Sequence, residues 1–323
     1  MKLLDQIEQG KTQFTDQEII SLLQIDTADS TFYKLLALSN ERSRKQFGKK
    51  GYVFAQIGIN AAPCPKNCMF CSMGGNHYAL DSVWEKTPED IAFELSNLQK
   101  QYFDDFFLMT TADYSQQKFI ETGKHVKPLL KKNQRMVANI GDFDLKIALQ
   151  LKEAGFTGVY HINRLREGID TLINPSKREQ TIQATIDAGL ELYYCIEPIG
   201  PEHSYEELTV EIRRACNLKV NVMAVMRRIA VQGTPLYAKG QITASELTKI
   251  VAVANLVVRP ERAMNVHEPT QMALLAGVNQ LYAESGANPR DTDSNTENSR
   301  GFTPDAAWKM LHEANYEKPQ DCL

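Results

Sequence analysis

The 323-residue chain has no apolar run approaching the roughly 18 residues that a membrane span requires, so no membrane association is expected. It also has no excess of positive charge. The 36 Lys and Arg are scattered along the chain against 40 Asp and Glu, giving a formal net charge of -4. Without a basic footprint a nucleic-acid partner is not expected, and a small molecule is the expected substrate. The N-terminal stretch MKLLDQIEQGKTQF is polar and lacks an apolar core followed by a small-residue cleavage site, so no secretory leader is expected. Cysteine is sparse: Cys64, Cys68, Cys71, Cys195, Cys216 and Cys322 are the full set of six. Half of them fall between positions 64 and 71, which points to metal or redox chemistry in a reducing cytoplasm rather than to disulfides. No internal repeat stands out beyond an alternation of strand-like and helix-like segments.

Residues 1–50 read as a helical extension. Thr15 is expected to cap a segment carrying Ile19, Ile20, Leu22 and Leu23, and a second helix is expected over 32–44. After Gly48 and Gly51 the pattern changes: residues 53–60 (VFAQIGIN) alternate as a strand, and the cysteine-rich loop follows directly. Strands are then expected at 106–110, 135–140, 158–163, 190–196 and 220–226. Each follows a helix, over 88–100, 116–131, 144–153, 178–188 and 205–215 respectively. A helix over 243–258 precedes weaker strands at 262–266 and 278–282, which flank 270–276, and a last helix over 304–314 starts behind Thr303. Gly155, Gly189 and Gly277 stand where left-handed helix ends would need them.

Eight strands alternating with helices predict an α/β protein with a closed (β/α)8, TIM-type barrel. The expected division is an N-terminal helical extension over 1–50, the barrel over 51–285, and a polar loop plus closing helix over 286–323. Within the last unit, 288–300 (NPRDTDSNTENSR) is polar and turn-rich and reads as a mobile loop.

Residues 63–75 read PCPKNCMFCSMGG. Three thiolates spaced four and then three positions apart, on a Pro- and Gly-flanked loop behind a strand, can converge on one inorganic cluster. A structural zinc ion normally takes four protein ligands, and His77 could supply a fourth. Three unrelated loop thiols are the remaining reading.

The pattern CX3CX2C, with the aromatic Phe70 just before its last cysteine, resembles the signature of the radical S-adenosylmethionine (SAM) superfamily. The resemblance implies that Cys64, Cys68 and Cys71 hold three irons of a 4Fe–4S cluster, while SAM chelates the fourth. Phe70 would pack near the adenine. Reductive cleavage of SAM would then yield a 5′-deoxyadenosyl radical, fed by a low-potential electron donor of the flavodoxin or ferredoxin type. In such a barrel the site is expected at the C-terminal ends of the strands.

The N-terminal helices, the basic FGKKG turn and the strand entering the cysteine loop resemble the biotin synthase group. That group includes the maturase of the iron-only hydrogenase and methylornithine synthase. By this resemblance Arg178, eleven positions before Gly189, would pair with the SAM carboxylate, a task suited to a guanidinium. The segment CIEPIGPEH puts Gly200 and Glu202 in the family's SAM-binding region, and 220–236, ending in GTPL, resembles its sixth-strand segment. Thr110, Thr111 and Asp113 fall where the family binds the methionine amine. Alternation along the fourth strand puts His161 and Asn163 on one face, towards the barrel mouth, and Tyr160 and Ile162 on the other. Arg164, Arg166, Glu197 and His267 are further pocket candidates.

The departures bear on substrate. Biotin synthase keeps a 2Fe–2S cluster on three barrel cysteines and one arginine. Here only Cys195 stands at such a position, and the regions FFLMTTADY and RMVANIGDF contain no cysteine. The resemblance therefore implies a radical SAM enzyme acting on an amino-acid-like or cofactor-precursor molecule without that second cluster. A metallocofactor-assembly maturase is the alternative within the branch. A zinc- or cluster-bearing barrel that only binds or senses is the alternative outside it.

Overall fold

Short polar side chains start most of the long helices in a computed structural model that describes residues 2–267, 270–296 and 302–319. Thr15, Thr87 and Ser204 form reciprocal capping boxes with Glu18, Asp90 and Glu207, each pair satisfying two backbone N–H groups that the first helical turn leaves without partners. These open α2 (Asp16–Leu23), α4 (Pro88–Leu98) and α8 (Tyr205–Leu218). Asp29, Ser115, Asp144, Asn174, Thr243 and Thr303 cap α3 (Ser30–Phe47), α5 (Gln116–Val126), α6 (Leu145–Glu153), α7 (Pro175–Asp187), α9 (Ala244–Val258) and α11 (Pro304–Glu313). Two shorter helices, α1 (Lys2–Glu8) and α10 (Gln271–Leu274), complete the set among the described residues. Gly155, Gly189 and Gly277 have φ of +94°, +66° and +88°, the left-handed conformation that ends a helix at little cost only in glycine.

Between these helices lie eight parallel strands: β1 (Tyr52–Gly58), β2 (Asp105–Met109), β3 (Arg135–Asn139), β4 (Gly158–Tyr160), β5 (Glu191–Ile199), β6 (Val222–Arg227), β7 (Ala263–His267) and β8 (Gln280–Ser285). Each pairs with its sequence neighbours, and β1 also pairs with β8, so the sheet closes into the expected barrel. Alternation points Phe54 and Gln56 of β1, and Tyr282 and Glu284 of β8, to the interior, while Val53, Ala55 and Ile57 pack outwards in the core. A two-stranded ribbon, Asn60–Ala61 with Trp84–Glu85, brackets the cysteine loop. In the N-terminal extension α3 lies against α9, where buried Asn255 Nδ2 donates to Ser39 Oγ (2.8 Å) and Ser43 Oγ (2.9 Å). At the other end of the chain α11 covers β8 and β1. Among the described residues no helix is long and apolar enough to cross a membrane.

Two expectations need correction. The fourth strand stops at Tyr160, and the chain turns into a loop that Leu165 N–H fastens to Glu197 O at 2.9 Å. Strand alternation therefore does not run on through His161, Ile162 and Asn163. The described part of the 288–300 segment, residues 288–296, is also no free loop. Asn288 and Asp291 are fully buried, Gln56 Nε2 donates to Asn288 Oδ1 (2.5 Å), and Ser72 N–H donates to Pro289 O (3.0 Å). Asn288 and Asp291 serve internal hydrogen bonds, while Asp293 and Asn295 stay exposed. Cys322 lies outside the described residues.

The N-terminal end of the barrel is plugged by charge. Asp105, with no exposure, accepts from Arg262 Nη1 and from Gln280 Nε2, both at 2.6 Å. Removing one partner of such a buried pair leaves the other desolvated and unpaired, at a cost of about 3–5 kcal/mol. Arg262→Ala is accordingly expected to lower unfolding stability in urea by about 3 kcal/mol. The double variant Asp105→Asn, Arg262→Met should recover part of that loss.

Candidate active site at the barrel mouth

The opposite, C-terminal end of the barrel is open, and one cavity there gathers the cysteine loop and the ends of several strands. The loop's fold follows from its own hydrogen bonds. Cys64 N–H donates to Met73 O (2.7 Å), Gly75 N–H to Cys64 O (2.9 Å), and Cys71 N–H to Cys68 O (3.0 Å). Asn67 takes a left-handed φ of +46°, and its Oδ1 accepts from Asn76 N–H at 2.7 Å. His77 Nε2 lies 3.1 Å from both Cys68 O and Cys71 O, so this nitrogen braces the loop backbone. Gly74 is needed beneath that ring, because a Cβ there would sit 2.3 Å from His77 Nε2.

Cys64, Cys68 and Cys71 all line the cavity, and none is in a disulfide. Burial pushes the Cys68 thiol up to about 11 and the Cys71 thiol further, the cost of desolvating a thiolate. A cationic centre offsets that cost. Met73 N–H also points at Cys71 Sγ (3.4 Å), a bond of the kind that tunes metal-bound sulfur. Three thiols on one cavity wall, with the histidine nitrogen nearest the backbone already engaged, fit an iron–sulfur cluster.

Phe70, His161 and Arg178 line the same cavity. His161 Nε2 stands between Asp142 Oδ1 (3.1 Å) and Arg178 Nη1 (3.2 Å). Burial is the main reason its pKa drops to about 4, so the ring is neutral at pH 7; it accepts from the guanidinium or donates to the carboxylate, one at a time. Arg178 also lies 3.1 Å from Asp142 Oδ1, with its Nε 3.5 Å from Glu167 Oε2. Its charge therefore already faces two carboxylates. Arg164 extends the pattern, with its Nε 3.2 Å from Glu197 Oε1.

The remaining candidates divide. Thr110, Thr111, Arg164, Glu197 and His267 line the cavity, whereas Asn163, Gly200, Glu202, Asp113 and Arg166 do not. Thr111 is pinned by Asn60, whose Nδ2 donates to Thr111 Oγ1 at 2.9 Å. Arg166 turns away to Glu207 (2.8 Å). Glu202 pairs with Arg228, whose Nη2 donates to Glu202 Oε2 at 3.0 Å, and Arg228 does line the cavity. Burial raises the Glu202 carboxyl, but Arg228 and the backbone together outweigh it and hold it at about 2. Asp142, Glu167 and Arg228 were not singled out from the sequence. Asp142 and Arg228 gain their places through partners remote along the chain, and Glu167 through Arg178 as well as through the nearby Arg164 N–H and Thr171 Oγ1. The one local hint is Glu167, inside the RLREG loop beside Arg164.

Gly200 seats the Arg228 guanidinium: a Cβ at that position would lie 2.4 Å from Arg228 Nη1. Gly200→Ala is expected to displace Arg228 from Glu202 and to cost about 1–3 kcal/mol of stability, read by urea unfolding. Glu202→Gln keeps an acceptor but leaves the buried Arg228 guanidinium without its counter-charge, so a loss at least as large is expected.

No family model matches the chain. It is 22% identical over 285 residues to the biotin synthase of Carboxydothermus hydrogenoformans, covering 83% of this chain and 87% of that one. To the biotin synthase of Geobacter sulfurreducens it is 25% identical over 279 residues, covering 82% and 81%. Among solved structures it superposes on methylornithine synthase with a TM-score of 0.84 at 17% identity, over 98% of this chain and 97% of the other. The FeFe-hydrogenase maturase of Carboxydothermus hydrogenoformans gives a TM-score of 0.80 at 16% identity, over 98% and 78%. With biotin synthases as sequence relatives over most of its length and the barrel of methylornithine synthase as its fold, the chain is similar to the biotin synthase-like branch of the radical SAM superfamily.

Proposed function

We propose that the chain binds a 4Fe–4S cluster on Cys64, Cys68 and Cys71 and cleaves SAM reductively there. The substrate in this reading is a small amino-acid-like or cofactor-precursor molecule, and no second cluster takes part. The observation that carries the reading is the convergence of three unbridged thiols with Phe70, His161 and Arg178 on one cavity at the C-terminal end of the barrel. When bound, the cluster and SAM supply a 5′-deoxyadenosyl radical able to take hydrogen from an unactivated carbon; the protein's part is binding, orientation and exclusion of water.

Phe70 offers a largely buried apolar face for the adenine. Arg178 and neutral His161 offer hydrogen-bonding edges for the polar end of SAM without adding a free charge, because Asp142 and Glu167 already balance the guanidinium. Gly200 and Glu202 act at one remove, by holding Arg228 at the cavity wall. Asn163, outside the cavity lining, supports the loop beneath it: its carbonyl lies 3.5 Å from Tyr194 Oη. Cys195 sits on β5 inside the barrel and Cys216 on the outer helix α8, so among the described residues too few thiols remain to rebuild a biotin-synthase-type second cluster. A low-potential donor of the flavodoxin or ferredoxin type would supply the electron. A reducing cytoplasm would keep the three thiols free.

Anaerobic reconstitution with iron and sulfide should give about four irons per chain and a brown chromophore. Adding SAM and a reductant should then release 5′-deoxyadenosine. Cys68→Ala is expected to abolish both, whereas Cys195→Ala should leave the iron content unchanged. Failure to form 5′-deoxyadenosine on the iron-loaded protein would overturn the reading. A loss of about half the iron in Cys195→Ala would overturn the single-cluster part of it.

A further inference from the structure

Below the cysteine loop, three potential ligands meet inside the barrel. Cys195 and Glu197 are two positions apart on β5 and so share its inward face, and His267 ends β7 across β6. Cys195 Sγ, a Glu197 carboxylate oxygen and a ring nitrogen of His267 all lie within 4.8 Å of one another. Cys195 and Glu197 are buried. Thiolate, carboxylate and imidazole together make a donor set for a borderline divalent ion such as zinc.

The surroundings are those of a supported ligand set. Glu197 is oriented from outside the trio: its Oε2 accepts from Tyr160 Oη at 2.8 Å, and Arg164 Nε lies 3.2 Å from its Oε1. Each carboxylate oxygen keeps a lone pair for a further partner. Among the described residues the His267 ring is held by aromatic contacts, stacked on Tyr160 at 5.6 Å and set edge-on to Phe54 at 5.8 Å and Tyr282 at 5.3 Å. Those contacts orient the ring and leave its nitrogens to other partners.

We propose that Cys195, Glu197 and His267 form a mononuclear binding site for a divalent transition-metal ion at the floor of the cavity, separate from the three-cysteine loop. Three protein ligands leave at least one position open, and Glu197 and His267 line the cavity that would hold the substrate. An ion there acts as a Lewis acid that anchors a carboxylate, amine or carbonyl group of the substrate. Binding displaces the Cys195 thiol proton to solvent, so affinity falls as the pH is lowered. The cluster reading does not depend on this site, nor the site on the cluster.

The test uses the full-length protein, reconstituted with iron and sulfide, equilibrated with zinc, desalted and analysed for both metals. About one zinc per chain is expected, and its K-edge absorption fine structure should show a single sulfur at about 2.3 Å with nitrogen or oxygen neighbours. Cys195→Ser and His267→Gln should each lose the zinc and keep the iron. The proposal is overturned if the unsubstituted protein retains no zinc, or if both variants keep it. Two or more sulfurs around the zinc would put it on the cysteine loop and would equally overturn it. The absorption measurement needs no variant, so a misfolded variant does not remove the test. If no iron is incorporated at all, the cluster reading fails while the zinc result stands on its own.

Discussion

A row of charges of alternating sign crosses the mouth of the barrel: Glu197, Arg164, Glu167, Arg178 and Asp142. None of these groups is well solvated, and a lone buried charge would be expensive. Each guanidinium is flanked by carboxylates, so each partner offsets its neighbour's desolvation. The row ties together the end of β5, the loop after β4, α7 and the turn before α6. The same loop after β4 supports the cysteines, for Met69 N–H donates to Asp170 O (2.8 Å) and Leu172 N–H to Lys66 O (2.8 Å). The cavity's polarity, the placing of His161 between Asp142 and Arg178 and the seating of the cysteine loop all rest on this balance of charge.

What could be read beforehand was local. Capping residues, glycine helix ends and the strand–helix alternation act over a few positions, and the barrel followed from them. The cysteine spacing was equally plain, because the ligands of a cluster held on one loop must be close in sequence. The end of β4 was not legible: Tyr160, His161, Ile162 and Asn163 continue an alternating pattern although the backbone leaves the sheet. Nor was the pairing of Glu202 legible in the sequence, since its partner Arg228 stands 26 positions further on.

The segment after β8 misled for a related reason. Asn, Asp, Pro and Ser favour turns in solvent, but the same residues serve a buried turn when other segments supply the matching donors and acceptors. Asn288 and Asp291 do this, with Asn288 N–H donating to Asp291 Oδ2 at 2.7 Å. Composition reports that the backbone bends there; it does not report what the bend lies against.

The cysteine loop occupies an early stretch of the chain, yet its outer hydrogen bonds come from far downstream. Met69 O accepts from Leu236 N–H, Ser72 N–H donates to Pro289 O, and Asp81 N–H donates to Thr292 O. Contacts so distant in sequence form only after long loops have closed. During synthesis on the ribosome the three thiols therefore emerge early and are enclosed only after Leu236, Pro289 and Thr292 have been added. In the interval they are open to solvent, and the completed barrel, rather than the motif itself, gives them their final setting.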